Sequence, residues 1–227
     1  MVRVLAVSDE VDEMLRHDLE AAGSPDLLVA CGDLPFDYLR ELMERLSVPL
    51  VFVPGNHDPD VAGYRVSRQG LTLRAGLPAD PPWPAGAVNA DGKVVSAGGL
   101  TIAGLGGCLR YSEGPNQYTD AQFRRRASRL ATAERWRRRR HGRLDLLLTH
   151  APPKGIGDLD DPAHRGVDAL HRLVSRTRPQ WLLHGHVHPY GDRPADATLG
   201  TTTVCNVVGW RLFDVRASDE RPGPDGA

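Results

Sequence analysis

An α/β fold, with strands and helices alternating along the chain, is what this 227-residue sequence predicts. Two observations lead to it. Short continuous runs of apolar and β-branched residues recur, each closed by a polar or glycine-containing turn, as in strands buried on both faces. Between them, apolar residues fall three and four apart, as on one face of a helix. Such alternation builds layered α/β folds.

The strand runs are Val2–Val7, Leu27–Ala30, Leu50–Val53, Leu144–Leu148 and Trp181–Leu183. Residues 12–22 read as a helix that opens on Asp12, a good N-cap, and stops before Gly23. Residues 36–46 carry Leu39, Leu42, Met43 and Leu46 at helical spacing, and residues 166–177 carry Val167, Leu170, Leu173 and Val174. A long helix over 119–143 opens with Thr119 as cap, with Phe123, Ala127, Leu130 and Trp136 as its expected apolar stripe. Residues 76–92 form a proline-rich loop ending at Asp91-Gly92, a hairpin turn or strand connection, before strands at 94–96 and 100–105. Thr201–Val208 and Trp210–Val215 suggest an antiparallel pair. Residues 1–216 are expected to form one domain, and 217–227 a disordered tail.

Composition narrows the class. Hydrophobic residues at 41% and charged residues at 25% are ordinary globular usage. Three cysteines (Cys31, Cys108, Cys205) at no metal-like spacing argue against a disulfide framework and for a reducing compartment. No run reaches the ~18 apolar residues of a membrane span, and the N-terminus lacks signal-peptide character. A cytoplasmic protein without membrane contact is expected. The net charge of −1 gives no whole-protein field toward nucleic acid. Segment 119–143, however, holds ten arginines against Asp120 and Glu134, +10 − 2 = +8 locally. That is a solvated face balanced elsewhere, or a phosphate-attracting face; without interleaved stacking aromatics, nucleic acid is the less favoured partner.

The chemistry lies in the residues that close each strand run. In order, these are Asp9; Gly32-Asp33; Gly55-Asn56-His57-Asp58; His150; and Gly185-His186-Val187-His188. Sites in open α/β sheets lie outside the carboxyl ends of the strands. Oxygen and imidazole donors gathered there suit Mn, Fe, Zn or Ni. The glycines before Asp33, Asn56 and His186 are expected to let the chain turn sharply.

This ordered set resembles the calcineurin-like metallophosphoesterase superfamily, from near residue 2 to residue 188. The resemblance implies a four-layer α/β/β/α sandwich with two divalent metal ions and hydrolysis of a phosphoester by attack of a bridging hydroxide. It implies that Asp33 bridges the metals, that Asn56, His150 and His186 complete one site, and that Asp9 and His188 hold the other. His57 would protonate the leaving oxygen or stabilise the transition state, with Asp58 orienting its imidazole. The expected substrate is a phosphodiester or small phosphorylated metabolite.

The first motif departs from the family. Its histidine falls at Val11, which cannot bind metal, so one site lacks a ligand. Water, Glu10 or Asp12 would have to fill the gap, and Asp12 competes as a helix cap. A weakened scaffold for protein interaction is therefore a rival reading, and a nuclease led by the arginine-rich helix another. His184 is expected to be a hydrogen-bonded neighbour of the site rather than a ligand. His17, His141, His164 and His171 read as surface residues away from it. In the loop 108–118, Arg110 is a candidate phosphate contact, and Tyr111, Asn116 or Tyr118 could shape the leaving-group pocket.

Overall fold

The computed structural model describes residues 1–18, 22–67, 69, 71–189, 191 and 194–218, with side chains except those of Val66, Arg140 and His141. The first half of the chain runs β1 (Val2–Ser8), α1 (Glu13–His17), β2 (Leu27–Ala30), α2 (Phe36–Leu46), β3 (Leu50–Phe52), β4 (Tyr64–Val66), β5 (Thr72–Arg74), β6 (Leu77–Pro78) and β7 (Val88–Asn89). The middle holds β8 (Val94–Ala97), β9 (Leu100–Leu105), β10 (Cys108–Leu109), β11 (Gln117–Tyr118), α3 (Asp120–His141) and β12 (Leu146–Thr149). The last part holds α4 (Ala169–Thr177), β13 (Trp181–His184), β14 (Ala197–Leu199), β15 (Thr202–Asn206) and β16 (Gly209–Val215).

Two sheets carry the fold. One has the order β16-β1-β2-β3-β7, the other β14-β15-β13-β12-β9-β8. In the first, β1, β2, β3 and β7 run parallel, and β16 is antiparallel at the edge. In the second, β9, β12, β13 and β15 run parallel between antiparallel edges β8 and β14.

Among the described residues, three hydrophobic clusters make these sheets into four layers. Alternate side chains of β1 divide between two of them: Leu5 and Val7 pack with Leu39 and Leu42 of α2, while Val4 and Ala6 face Leu146, Leu148 and Leu183 of the other sheet. Leu147 and Leu182, on the opposite face of that second sheet, pack with Phe123 and Leu130 of α3 and Leu170 and Leu173 of α4. The result is helix, sheet, sheet, helix. Continuous apolar strands are required because both faces of each sheet are covered. Each fully buried Leu or Val contributes about 1.5–3 kcal/mol.

Some expectations change. The pair at 201–215 is divided: β15 lies in the second sheet and β16 in the first, with Val207 and Val208 buried at the crossing. Of the two forms expected at Asp91-Gly92, the strand connection is the one found, joining β7 and β8 of different sheets, and the hairpin turn falls at Gly98-Gly99, between β8 and β9. Helix α1 keeps its Asp12 cap but spans five residues, and 19–21 of the expected helix lie outside the described residues. Trp136 is not in the α3 stripe; it is 65% exposed, and Glu134 is buried where the helical repeat continues from Leu130. Of the expected tail, Ser218 is tied to Asp145 by its amide and hydroxyl, and 219–227 lie outside the described residues. Among the described residues no helix is long and apolar enough to cross a membrane.

Candidate metal centre

Parallel strands from both sheets end at one edge of the sandwich, and every motif residue lies on the turn beyond such an end. Cross-links hold the turns together: Gly107 N–H donates to the Pro54 carbonyl at 2.8 Å, and Gly185 N–H to the His150 carbonyl at 3.0 Å. The backbone of Asp9, Asp33 and His186 has positive φ, 62°, 57° and 69°. These are unfavourable conformations for non-glycine residues, and they cluster here. The neighbouring glycines serve partly another purpose than turning. At Gly55 a Cβ would fall on the Asp33 carboxylate, and at Gly185 on Asp9 Oδ2 and Ser8 Oγ, so both are bare to admit an acidic side chain.

Among the described residues, Asp33, His150 and His186 bring one ligand atom each to within 4.8 Å of one another. His150 is fully buried; its Nδ1 lies 2.8 Å from the Cys31 carbonyl and so carries the proton. Its Nε2 faces Asn56 Oδ1 at 3.0 Å and Asp33 Oδ2 at 3.2 Å. Three lone pairs converge there, which demands a cation or a proton. With a proton, burial opposes the charge, but the Asp33 bond and charge outweigh it and push His150 up to about 9. Burial would raise Asp33, yet His150 and the His57 amide hold it below the usual carboxylate range. His186 repeats the pattern. Its Nε2 lies 2.8 Å from the Ala163 carbonyl, its ring is 4.7 Å from that of His150, and burial and the His150 charge push it down to about 3.

Asp9 and His188 meet on the other side. Asp9 is raised, chiefly by burial; it accepts the His186 amide on both oxygens and the Ser8 hydroxyl at 2.6 Å. His188 Nε2 stands 4.0 Å from Asp9 Oδ1, about twice a metal–ligand bond of ~2.0–2.1 Å. Carboxylates, an amide oxygen and three imidazoles, each ring proton held by an oxygen, form a donor set that fits divalent ions.

His57 is exposed, and its amide donates to Asp33 Oδ1 at 2.8 Å. Asp58 does not fit the expected role of orienting that imidazole. Its buried Oδ2 accepts the Gly55 and Asp33 amides at 2.7 and 3.1 Å, clamping the turn, and burial raises its carboxyl to about 6. His184 is buried, with Nδ1 3.0 Å from the Gly185 carbonyl, and burial lowers it to about 4. Arg110 is exposed and donates to the Gln117 carbonyl at 3.3 Å. Tyr111 OH accepts from Asn56 Nδ2 at 3.1 Å, touching a candidate ligand directly. Asn116 instead ties the Gly55 and Asp58 carbonyls from below.

His164, expected away from the site, lies beside it: its ring is 5.4 Å from that of His186, and its Nδ1 is 3.0 Å from both Asp161 oxygens. The spacing Asp161-x-x-His164 is the one signal of this in the sequence.

The fold and this donor set define a metal-dependent phosphoester hydrolase. The chain belongs to the calcineurin-like phosphoesterase family, whose model matches residues 7–190. One solved structure aligns at TM-score 0.62 and 16% identity, over 96% of this chain and 99% of its own. TT1561 of Thermus thermophilus aligns at 0.59 and 16%, over 95% and 99%. A putative 5′-nucleotidase from Staphylococcus aureus, solved with α-ketoglutarate, aligns at 0.50 and 14%, over 99% of this chain and 55% of that one. At these identities the likeness carries the fold alone. No curated protein sequence matches the chain.

Proposed function

We propose that this chain hydrolyses a phosphodiester or a small phosphorylated metabolite using two divalent ions. Asn56, His150 and His186 would hold one ion, Asp9 and His188 the other, with Asp33 between them. One observation carries the reading: each of three imidazoles has one ring nitrogen on an oxygen acceptor, the other nitrogen of His150 and of His188 faces Asp33 and Asp9 at 3.2 and 4.0 Å, and His186 brings a ligand atom to within 4.8 Å of those of Asp33 and His150. When bound, the ions supply a nucleophilic oxygen at neutral pH and offset charge on the phosphoryl group. The chain's own residues do the rest. His57, exposed at the rim and held through its amide by Asp33, would deliver a proton to the leaving oxygen. Tyr111 fixes the Asn56 amide so that Oδ1 faces inward. Arg110 would contact a substrate phosphate from the exposed loop. Manganese suits the carboxylate and amide oxygens of this set, and iron, zinc or nickel its imidazoles; the three cysteines are buried.

Turnover of bis(p-nitrophenyl) phosphate with Mn²⁺ is expected, falling about 100-fold or more in Asn56→Ala. Absence of turnover with Mn²⁺, Fe²⁺, Zn²⁺ and Ni²⁺ alike would overturn the reading.

A second reading, a nucleic acid as the phosphodiester, is favoured by one feature. Arg135, Arg138, Arg139 and Arg176 line a groove of about 570 Å³ between α3 and α4, and the Arg139 guanidinium lies 5.3 Å from the exposed Trp136 ring. Four strand phosphates neutralised there predict about 50-fold weaker single-strand binding between about 50 and 200 mM salt. Fluorescence anisotropy checks it, and salt-independent or absent binding eliminates it.

A further inference from the structure

The sharp turn over Ser8-Asp9-Glu10, closed by the Glu10 amide on the Ser8 carbonyl at 2.7 Å, decides what stands in for the histidine missing at Val11. Val11 itself is exposed hydrocarbon. Asp12 is engaged away from these ligands: Oδ1 accepts the Leu15 amide at 2.7 Å as the α1 cap, and Oδ2 accepts the Trp210 indole N–H at 3.1 Å. Glu10 instead bonds a residue of the site. Its Oε1 lies 2.9 Å from His188 Nδ1, while the opposite nitrogen of the same ring faces Asp9 Oδ1 at 4.0 Å. Consecutive residues of one turn thus flank a single imidazole, Glu10 bonding one edge and Asp9 facing the other across 4.0 Å.

The three imidazoles differ in one respect. His150 and His186 give their protons to neutral backbone carbonyls, of Cys31 and Ala163. Only His188 gives its proton to a carboxylate, and His188 is also the least enclosed, with 53% of its side chain exposed against a fully buried His150. A carboxylate on the outer nitrogen fixes the ring's tautomer and rotation and makes the inner nitrogen a stronger donor to a cation. An exposed ring in a site short of one ligand is where that help has most effect.

We infer that Glu10 is a positioning residue for the metal site of Asp9 and His188, compensating for the ligand lost at Val11 by holding His188 through Nδ1. The inference rests on the two-ion reading above.

The test is Mn²⁺ binding to metal-free full-length protein, followed by isothermal titration and metal analysis, in wild type, Glu10→Ala and Glu10→Gln. Wild type is expected to bind two ions. Glu10→Ala keeps the tighter one and loses about 10–100-fold in affinity for the other; Glu10→Gln, which still accepts a hydrogen bond but carries no charge, falls between. Because Glu10 is exposed, thermal melting of the metal-free variants should match wild type. In Zn²⁺-loaded wild type, proton NMR should show a downfield His188 Nδ1–H resonance that disappears in Glu10→Ala. Wild type binding fewer than two ions would overturn the two-ion reading and this one with it. Two ions bound at wild-type affinity by Glu10→Ala, or no such resonance in wild type, would overturn the role of Glu10 alone.

Discussion

His57→Ala is expected to lower turnover of an alkyl phosphodiester by about 10²–10⁴-fold while leaving both metal ions in place. The imidazole is exposed at the rim of the site, and the residue reaches the donor cluster through its amide on Asp33. Removing the ring leaves that backbone bond intact, so Asp33 keeps its position. A proton donor matters in proportion to how poor the leaving group is. An alkoxide needs the proton, whereas p-nitrophenolate leaves without one. The variant should therefore lose much less, about tenfold or under, on the aryl ester. Steady-state kinetics on the two esters, with metal content measured in parallel, checks this. Equal losses on both would remove protonation of the leaving oxygen as the role of His57. Loss of metal in the variant would make it a structural residue.

Much of this arrangement is legible in the chain, for a physical reason. In a four-layer sandwich each central strand is covered on both faces, so Val2–Val7, Leu27–Ala30 and Trp181–Leu183 stand out as unbroken apolar runs, and the polar residues that end them are the ones delivered to the site. The features that the sequence hides are decided by tertiary packing. β15 and β16 read as a local pair because alternation looks the same in either sheet; the crossing at Val207–Val208 separates them. Glu134 is easily overlooked beside Trp136 because a charge seldom sits in a helix stripe, yet it is buried at the position the repeat requires, where burial raises its pKa. His164 reaches His186 only through the path of the 152–166 loop, which no periodicity encodes. Asp58 sits beside His57 in sequence, and adjacency suggests a partnership that the turn geometry replaces with two backbone amides.

Gly185→Ala is expected to damage the site and the fold together, and a second glycine separates the two effects. A Cβ at Gly185 would land on Asp9 Oδ2 and Ser8 Oγ, and within 2.9 Å of Ser8 Cβ. Asp9 cannot yield freely: its side chain is 4% exposed, and both its oxygens are committed to the His186 amide. Overpacking of this kind costs about 1–3 kcal/mol, or roughly 2–12 °C in melting temperature for a domain of this size. Relieving the clash displaces the Asp9 carboxylate or the turn that carries His186 and His188, so Mn²⁺ affinity should fall with it. Gly200 has φ +63° and open space around its Cβ position. Gly200→Ala therefore strains the backbone without touching a ligand, and should lower the melting temperature while leaving metal affinity and turnover per folded molecule unchanged. Thermal unfolding and Mn²⁺ titration of the two variants side by side check the argument. Wild-type metal affinity in Gly185→Ala would mean that Asp9 is not part of the ion's coordination, and the bare glycine at this strand end would then serve only to let the two turns pass.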